Sequence, residues 1–260
     1  MNDQSPPAIM LRESRDAATL ILTLDYPHRR NALAMPMRRQ MIDAIERAEI
    51  DPGVRAIVIT GAGAHFSAGG DISSMDASDI PGGRARMAVT HRLVRGLLKG
   101  SKPVLVAIEG WCAGAGVSIA TCADSVIASD SAKFSVGFHK IGLIADLGLL
   151  HTLPARIGVG RTRQMLLYGE AIEAAEALRI GLVDQLVPAG TALQAALARA
   201  RLLHDAAPLP IAYTRQYLAQ GLDAALDWER DIQATLFLSA DHAEGKAAFL
   251  EKRAPKFLGR

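Results

Sequence analysis

Cysteine is nearly absent: the 260 residues contain two, Cys112 and Cys122. That excludes a disulfide framework and a cysteine-rich zinc site, and both thiols read as small apolar core residues. The seven histidines are scattered without H-E-x-x-H or comparable spacing, so no metal centre is expected. An excess of one charge is also missing. With 29 Lys+Arg against 27 Asp+Glu there is no broad basic field for nucleic acid, although a local basic patch can still hold phosphates. No uncharged apolar run approaches the roughly 20 residues that cross a membrane. Met1 to Pro7 is polar and lacks the basic-then-apolar layout of a signal peptide. A cytoplasmic protein that binds neither nucleic acid nor membrane is expected. What is present is a composition of 50% apolar and 22% charged residues, enough for a soluble chain with a sizeable core. The length fits one large domain, or one domain with an appendage.

Periodicity divides the chain. Ala18–Tyr26, Val54–Thr60, Pro103–Glu109, Ser125–Ala128 and Leu182–Val187 read as strands, rich in Leu, Ile, Val and Thr. Pro36–Ile50 carries apolar residues at Met37, Met41, Ile42, Ile45 and Ala48, one face of a helix that Asp51-Pro52-Gly53 ends. Arg84–Lys99 is a basic amphipathic helix on which His91 reads as a surface residue, and Gly114–Cys122 is a short packed helix. Ile72–Gly83 is an active-site flap or a plain surface connection. Beyond Gly148 the pattern is mostly helical: 149–156, 162–168, 170–180, 191–204, 210–220, 223–239 and 243–252. Strands alternating with helices, then a helical tail, predict an α/β fold. Pro188-Ala189-Gly190 marks a boundary between a core over 1–190 and a helical region over 191–260.

Three glycine-rich stretches are candidates for chemistry. Gly61-Ala-Gly63-Ala-His-Phe66 fails the dinucleotide fingerprint at Phe66. Gly110-Trp-Cys-Ala-Gly114-Ala-Gly116 has short-chain dehydrogenase spacing. Yet none of Tyr26, Tyr168, Tyr213 or Tyr217 has a lysine four residues later to lower its pKa. Gly116-Val-Ser118-Ile-Ala120 weakly resembles a nucleophile elbow, but Asp146 and His151 then fall too close together for two separate loops. The third stretch, Phe66-Ser-Ala-Gly69-Gly70-Asp71-Ile72, is a turn. Paired with the helix start at Gly114–Gly116, it offers two backbone N–H donors from different segments, the arrangement that stabilises a developing oxyanion.

These residues resemble the crotonase superfamily, the enoyl-CoA hydratase/isomerases. The matching pieces include His28-Arg-Arg-Asn-Ala-Leu33, Phe66–Ile72, Lys102–Gly110, Ala113–Ala120, Ile141–Gly148, Leu153–Gly158, Ala175–Val183 and Glu244–Arg253, in family order. The resemblance implies a crotonase spiral of ββα units with a C-terminal helical module that builds a homotrimer or a dimer of trimers. It also implies an acyl-CoA thioester as ligand, coenzyme A being part of the substrate and no separate cofactor being required. The thioester oxygen would be held by the amides of Gly70 and Ala115, where family members usually have glycine at the second position. An alanine serves equally if its φ is negative. Ala32, Ala68, Asp71, Ile72, Gly114, Ser118 and Phe138 are expected to bind substrate, and Arg29 and Arg30 match contacts to CoA phosphates and adenine. Lys256 and Phe257 match a tail that reaches a neighbouring subunit's CoA.

The resemblance also decides between reactions. Hydratases of the family use two glutamates; here those positions hold Ser118 and Phe138, neither of which transfers a proton unaided. The carboxylate that remains is Asp146, matching the aspartate of dienoyl-CoA isomerases, of the phenylacetate-pathway isomerases and of the 4-chlorobenzoyl-CoA dehalogenase. Dehalogenation would need aromatic residues around the ring, and the chain has six Phe and two Trp. Apolar Ile144, Leu147 and Leu149 should raise the Asp146 pKa by desolvation, as suits a base that returns its proton. Capping the helix that follows is its structural alternative. The expectation is an enoyl-CoA isomerase using Asp146. The alternatives are a hydratase with a nonstandard acid/base set and a non-catalytic acyl-CoA- or RNA-binding homologue.

Overall fold

The computed structural model describes residues 10–260; the Met1–Pro7 stretch lies outside the described residues. A hairpin opens the fold, Leu11–Asp16 (β1) antiparallel to Thr19–Leu24 (β2), with Leu11 opposite Leu24. No apolar alternation announces β1, because it is a mostly exposed edge strand rich in charged residues. The chain then alternates as expected through Met35–Ile50 (α1), Ala56–Gly61 (β3), Ile80–Lys99 (α2) and Val104–Ile108 (β4). It continues with Trp111–Ala113 (β5), Ala115–Thr121 (α3), Ser125–Ser129 (β6) and Lys133–Ser135 (β7). Next come Leu149–Tyr168 (α4), Ile172–Glu173 (β8), Ala174–Arg179 (α5) and Gln185–Val187 (β9). Four helices close the chain: Ala192–Arg201 (α6), Pro208–Leu218 (α7), Leu222–Leu236 (α8) and Ala240–Glu251 (α9).

The main sheet has the order β1-β2-β3-β4-β6-β9, parallel from β2 onward; β5, β7 and β8 form a smaller sheet. Central strands β4 and β6 are buried throughout, as a parallel sheet covered on both faces requires. On one face Ile57, Ile59, Val106 and Val126 join the main core with α1 and α2. On the other, Val58, Leu105 and Ile127 pack against Ala192, Ala196 and Ala200 of α6, a stripe of small side chains along that helix.

Helices α2, α4 and α5 differ from expectation. Helix α2 begins at Ile80 rather than Arg84, because Asp79 caps it by accepting the Gly82 N–H at 2.6 Å and Pro81 occupies its first turn. Gly83 inside it is needed for close packing, since a Cβ there would come within 3.0 Å of Ala234 on α8. The helices expected over 149–156 and 162–168 are two arms of α4, broken at Gly158 (φ 75°, ψ 157°). The expected helix 170–180 shortens to α5, because Ile172 instead pairs with Phe134 across β7 and β8. Among the described residues no helix is long and apolar enough to cross a membrane.

Candidate active site

The segment between β3 and the flap is stitched on both sides. Phe66 and Ser67 donate N–H bonds to Glu109 and Trp111 carbonyls at 2.8 and 3.1 Å, and Ala113 donates back to Ser67 at 2.9 Å. On the other side the Leu33 N–H reaches the Gly69 carbonyl at 2.7 Å. Asn31 holds the turn that leads there. It is fully buried, accepts the Tyr26 N–H at 2.9 Å, and donates to the Ala62 and His65 carbonyls at 2.9 and 2.8 Å. Ser67 Oγ donates to the Asn31 carbonyl and accepts the Gly69 N–H.

This stitching sets Gly69 against the 113–115 backbone. Gly69 has φ +101°, and a Cβ there would lie 3.0 Å from the Ala113 carbonyl oxygen. Gly114, at φ 48° and ψ −119°, turns the chain sharply into α3. Neither the Gly70 nor the Ala115 amide donates to another described group, and both residues line one cavity of about 360 Å³. Ala115 is outside the positive-φ set, so its side chain causes no backbone strain.

Asp146 enters the same cavity from the loop before α4. It is buried, its Oδ1 is sealed from solvent, and neither carboxylate oxygen has a hydrogen-bond partner among the described residues. Desolvation raises its pKa from 3.8 to about 6. The Glu229 charge adds to the rise; Arg38, Arg86 and His91 oppose it. The capping alternative fails for the side chain: α4 starts at Leu149, Gly148 is its N-cap, and no side chain caps it. Only the Asp146 carbonyl takes part in that turn, accepting the Leu149 N–H at 3.2 Å.

Of the other residues singled out above, Ala68, Ile72, Gly114 and Phe138 line the cavity. Arg29, Arg30, Ala32, Asp71 and Ser118 do not. Arg29 and Arg30 are exposed on the turn before Asn31, and Ala32 is buried beneath it. Asp71 accepts the Ser73 N–H and hydroxyl, capping the short turn Ile72–Ser74 of the flap. Ser118 is sealed inside α3 with its Oγ unpartnered. Met75, from the segment that follows Gly70, also lines the cavity, and its methyl occupies the space a Cβ on Gly70 would take.

Several residues around the site were missed or misread. His91 is not on the surface. It is 2% exposed and faces Glu229 at 3.0 Å, because it shares the α2 stripe of Met87, Thr90 and Val94. Trp228 lies on the exposed side of α8, and its neighbour Glu229 is buried. Arg38 is buried beside Gly70. Its Nε donates to the Leu33 carbonyl at 3.0 Å and its Nη1 to Thr90 Oγ1 at 2.8 Å. Burial pulls its guanidinium below the ordinary value, opposed by Asp146 and Glu229. Its placement next to Met37, three before Met41 and four before Ile42, on the apolar stripe of α1, was the available signal.

Comparison with known proteins fits this architecture. Residues 14–260 match the family model described as enoyl-CoA hydratase/isomerase. The chain is 36% identical over 253 residues to the 1,2-epoxyphenylacetyl-CoA isomerase of Escherichia coli K12, covering 94% of this chain and 97% of that protein. It is 37% identical over 244 residues to a probable enoyl-CoA hydratase of Rhodobacter capsulatus, covering 92% and 94%. The solved structure of an enoyl-CoA hydratase from Mycobacterium avium subsp. paratuberculosis K-10 aligns with a TM-score of 0.87 at 34% identity, over 97% of this chain and all of that one. The α/β architecture with its helical C-terminal region is thus the crotonase fold, and the chain is an acyl-CoA-processing enzyme that belongs to the enoyl-CoA hydratase/isomerase family.

Proposed function

We propose that the protein is an enoyl-CoA double-bond isomerase in which Asp146 carries the proton. The observation that supports this is a solitary acid: of the described residues lining the cavity, Asp146 alone bears a carboxylate. Its pKa of about 6 suits a group that takes a proton and gives it back near neutral pH. The carboxylate removes a proton from C2 of a 3-enoyl thioester, and the resulting dienolate places negative charge on the thioester oxygen. The free Gly70 and Ala115 amides hold that oxygen; losing one such donor typically costs about 3 kcal/mol of barrier. Asp146 then returns the proton at C4, leaving the conjugated 2-enoyl thioester. Ser118 and Phe138 supply no second acid/base, which sets this site apart from a two-carboxylate hydration. Among the relatives, one is named an isomerase, of 1,2-epoxyphenylacetyl-CoA, and others are named hydratases. CoA recognition by Arg29 and Arg30, and assembly into a homotrimer or a dimer of trimers, belong to the same reading; light scattering on the purified protein tests the assembly.

Absorbance of the conjugated thioester tests the chemistry. Wild type should generate it from a 3-enoyl-CoA, and Asp146→Asn should not. Loss of conjugation from a 2-enoyl-CoA, undiminished in Asp146→Asn, would instead identify a hydratase with another acid/base set. Absence of turnover with both would point to a binding homologue.

A further inference from the structure

A proton shuttle must stand in one place while its own oxygens stay free, and Asp146 meets the second condition by having no hydrogen bond. Its position must then come through the backbone. Two consecutive left-handed residues follow it, Leu147 at φ 54° and Gly148 at φ 73°. The first is a branched residue in a conformation that L side chains rarely adopt and that persists only where its surroundings impose it.

Those surroundings are two side chains one turn apart on α8. Gln233 meets Ile144, two residues before Asp146, with both ends of its amide: Oε1 accepts the Ile144 N–H at 3.3 Å and Nε2 donates to the Ile144 carbonyl at 3.4 Å. Glu229 meets Gly148, two residues after Asp146, its Oε2 accepting that N–H at 2.9 Å. The other Glu229 oxygen lies 3.0 Å from His91 Nε2 on α2, so the carboxylate is held from both directions. Glu229, Gln233 and His91 are each no more than 2% exposed, and none of them lines the cavity.

We propose that Glu229 and Gln233 are positioning residues that clamp the chain on both sides of Asp146 and so aim its unbonded carboxylate at the acyl chain, with His91 steadying Glu229. The proposal rests on the isomerase reading of Asp146. The clamp has a second consequence. The groups whose charges reach Asp146 are Arg38 on α1, Arg86 and His91 on α2, and Glu229 on α8. Glu229 alone among them favours the protonated aspartate, so one residue sets both the place of the base and part of its proton affinity.

Three variants separate these roles in the 3-enoyl-CoA assay, with the Asp146 carboxyl titration followed by carbon NMR as a readout independent of turnover. Gln233→Leu breaks the clamp without changing charge; kcat should fall about 10- to 100-fold with KM within about twofold, as expected for a displaced reacting group. Glu229→Gln keeps an acceptor for the Gly148 N–H but removes the charge. It should retain kcat within about fivefold and move the Asp146 titration, and the acid limb of the rate profile, to lower pH. Glu229→Leu removes both and should lose at least as much kcat as Gln233→Leu; if it does not fold, the other two variants carry the test. Wild-type kcat in Gln233→Leu together with an unmoved titration in Glu229→Gln would overturn the clamp while leaving the isomerase reading intact. Full activity in Asp146→Asn would overturn both.

Discussion

The two walls of the cavity are built in opposite ways. On the amide wall, Gly70 and Ala115 are placed by backbone: the segment 66–70 is laced to residues 33 and 109–113 by N–H···O bonds. On the carboxylate wall, Asp146 is placed by side chains of a helix some 85 residues further on, through Glu229 and Gln233. A backbone-laced wall tolerates side-chain change as long as the glycines, Asn31 and Ser67 remain. A wall held by buried polar side chains has no such tolerance, because each partner removed leaves another buried group unsatisfied.

Perturbations of the two walls should therefore separate. The largest effect is expected for Asp146→Asn, with turnover of the 3-enoyl substrate falling about 10²- to 10⁴-fold. The same variant should gain stability at neutral pH. The folded carboxyl holds a proton up to about pH 6, whereas the unfolded one releases it near 3.8. Wild type thus loses stability as pH rises through that window, and the Asn variant does not. The difference in denaturation free energy should be near zero below pH 4 and approach about 3 kcal/mol above pH 6.

Asn31→Ala breaks the amide wall at its hub. With three part-buried hydrogen bonds lost, urea denaturation should register about 2–4 kcal/mol of destabilisation. Gly69→Ala should cost about 1–3 kcal/mol, from its φ of +101° and the crowded Ala113 carbonyl. Wild-type kcat/KM should rise with pH through a limb near 6, since the free enzyme must present Asp146 ionised. The smallest effect is expected for Ala115→Gly, under about 1 kcal/mol in stability and near wild-type turnover, because its amide rather than its methyl is used.

Much of the amide wall was legible, because its requirements are local. Gly69-Gly70 after a strand, and Gly114 before a helix, each answer a backbone demand within a few residues. Asp146 was legible through the family resemblance, and the apolar neighbours on both sides of it added the expectation of desolvation. The capping role, though, belongs to the Gly148 position, which a sequence pattern places only to within a few residues. His91 and Arg38 illustrate the opposite case. Each sits on the apolar stripe of its helix, yet a charged or polar residue there is interpretable only when its partner is known. Those partners, Glu229 for His91 and Thr90 with the Leu33 carbonyl for Arg38, come from other elements.

Alternating strands, amphipathic helices and glycine turns are properties of short windows, and short windows sufficed to predict the α/β fold and a pair of backbone N–H donors. Naming Gly70, Ala115 and Asp146 took the chain's resemblance to the crotonase superfamily. Whether the nominated groups share one cavity, and which buried charges face one another there, was decided only when α2 and α8 packed closely enough for Gly83 to touch Ala234. That packing brings His91 and Glu229, 138 positions apart, to 3.0 Å. The physical reason is that backbone conformation is governed by near neighbours, whereas the state of a buried charge depends on every group within a few ångströms, however distant along the chain.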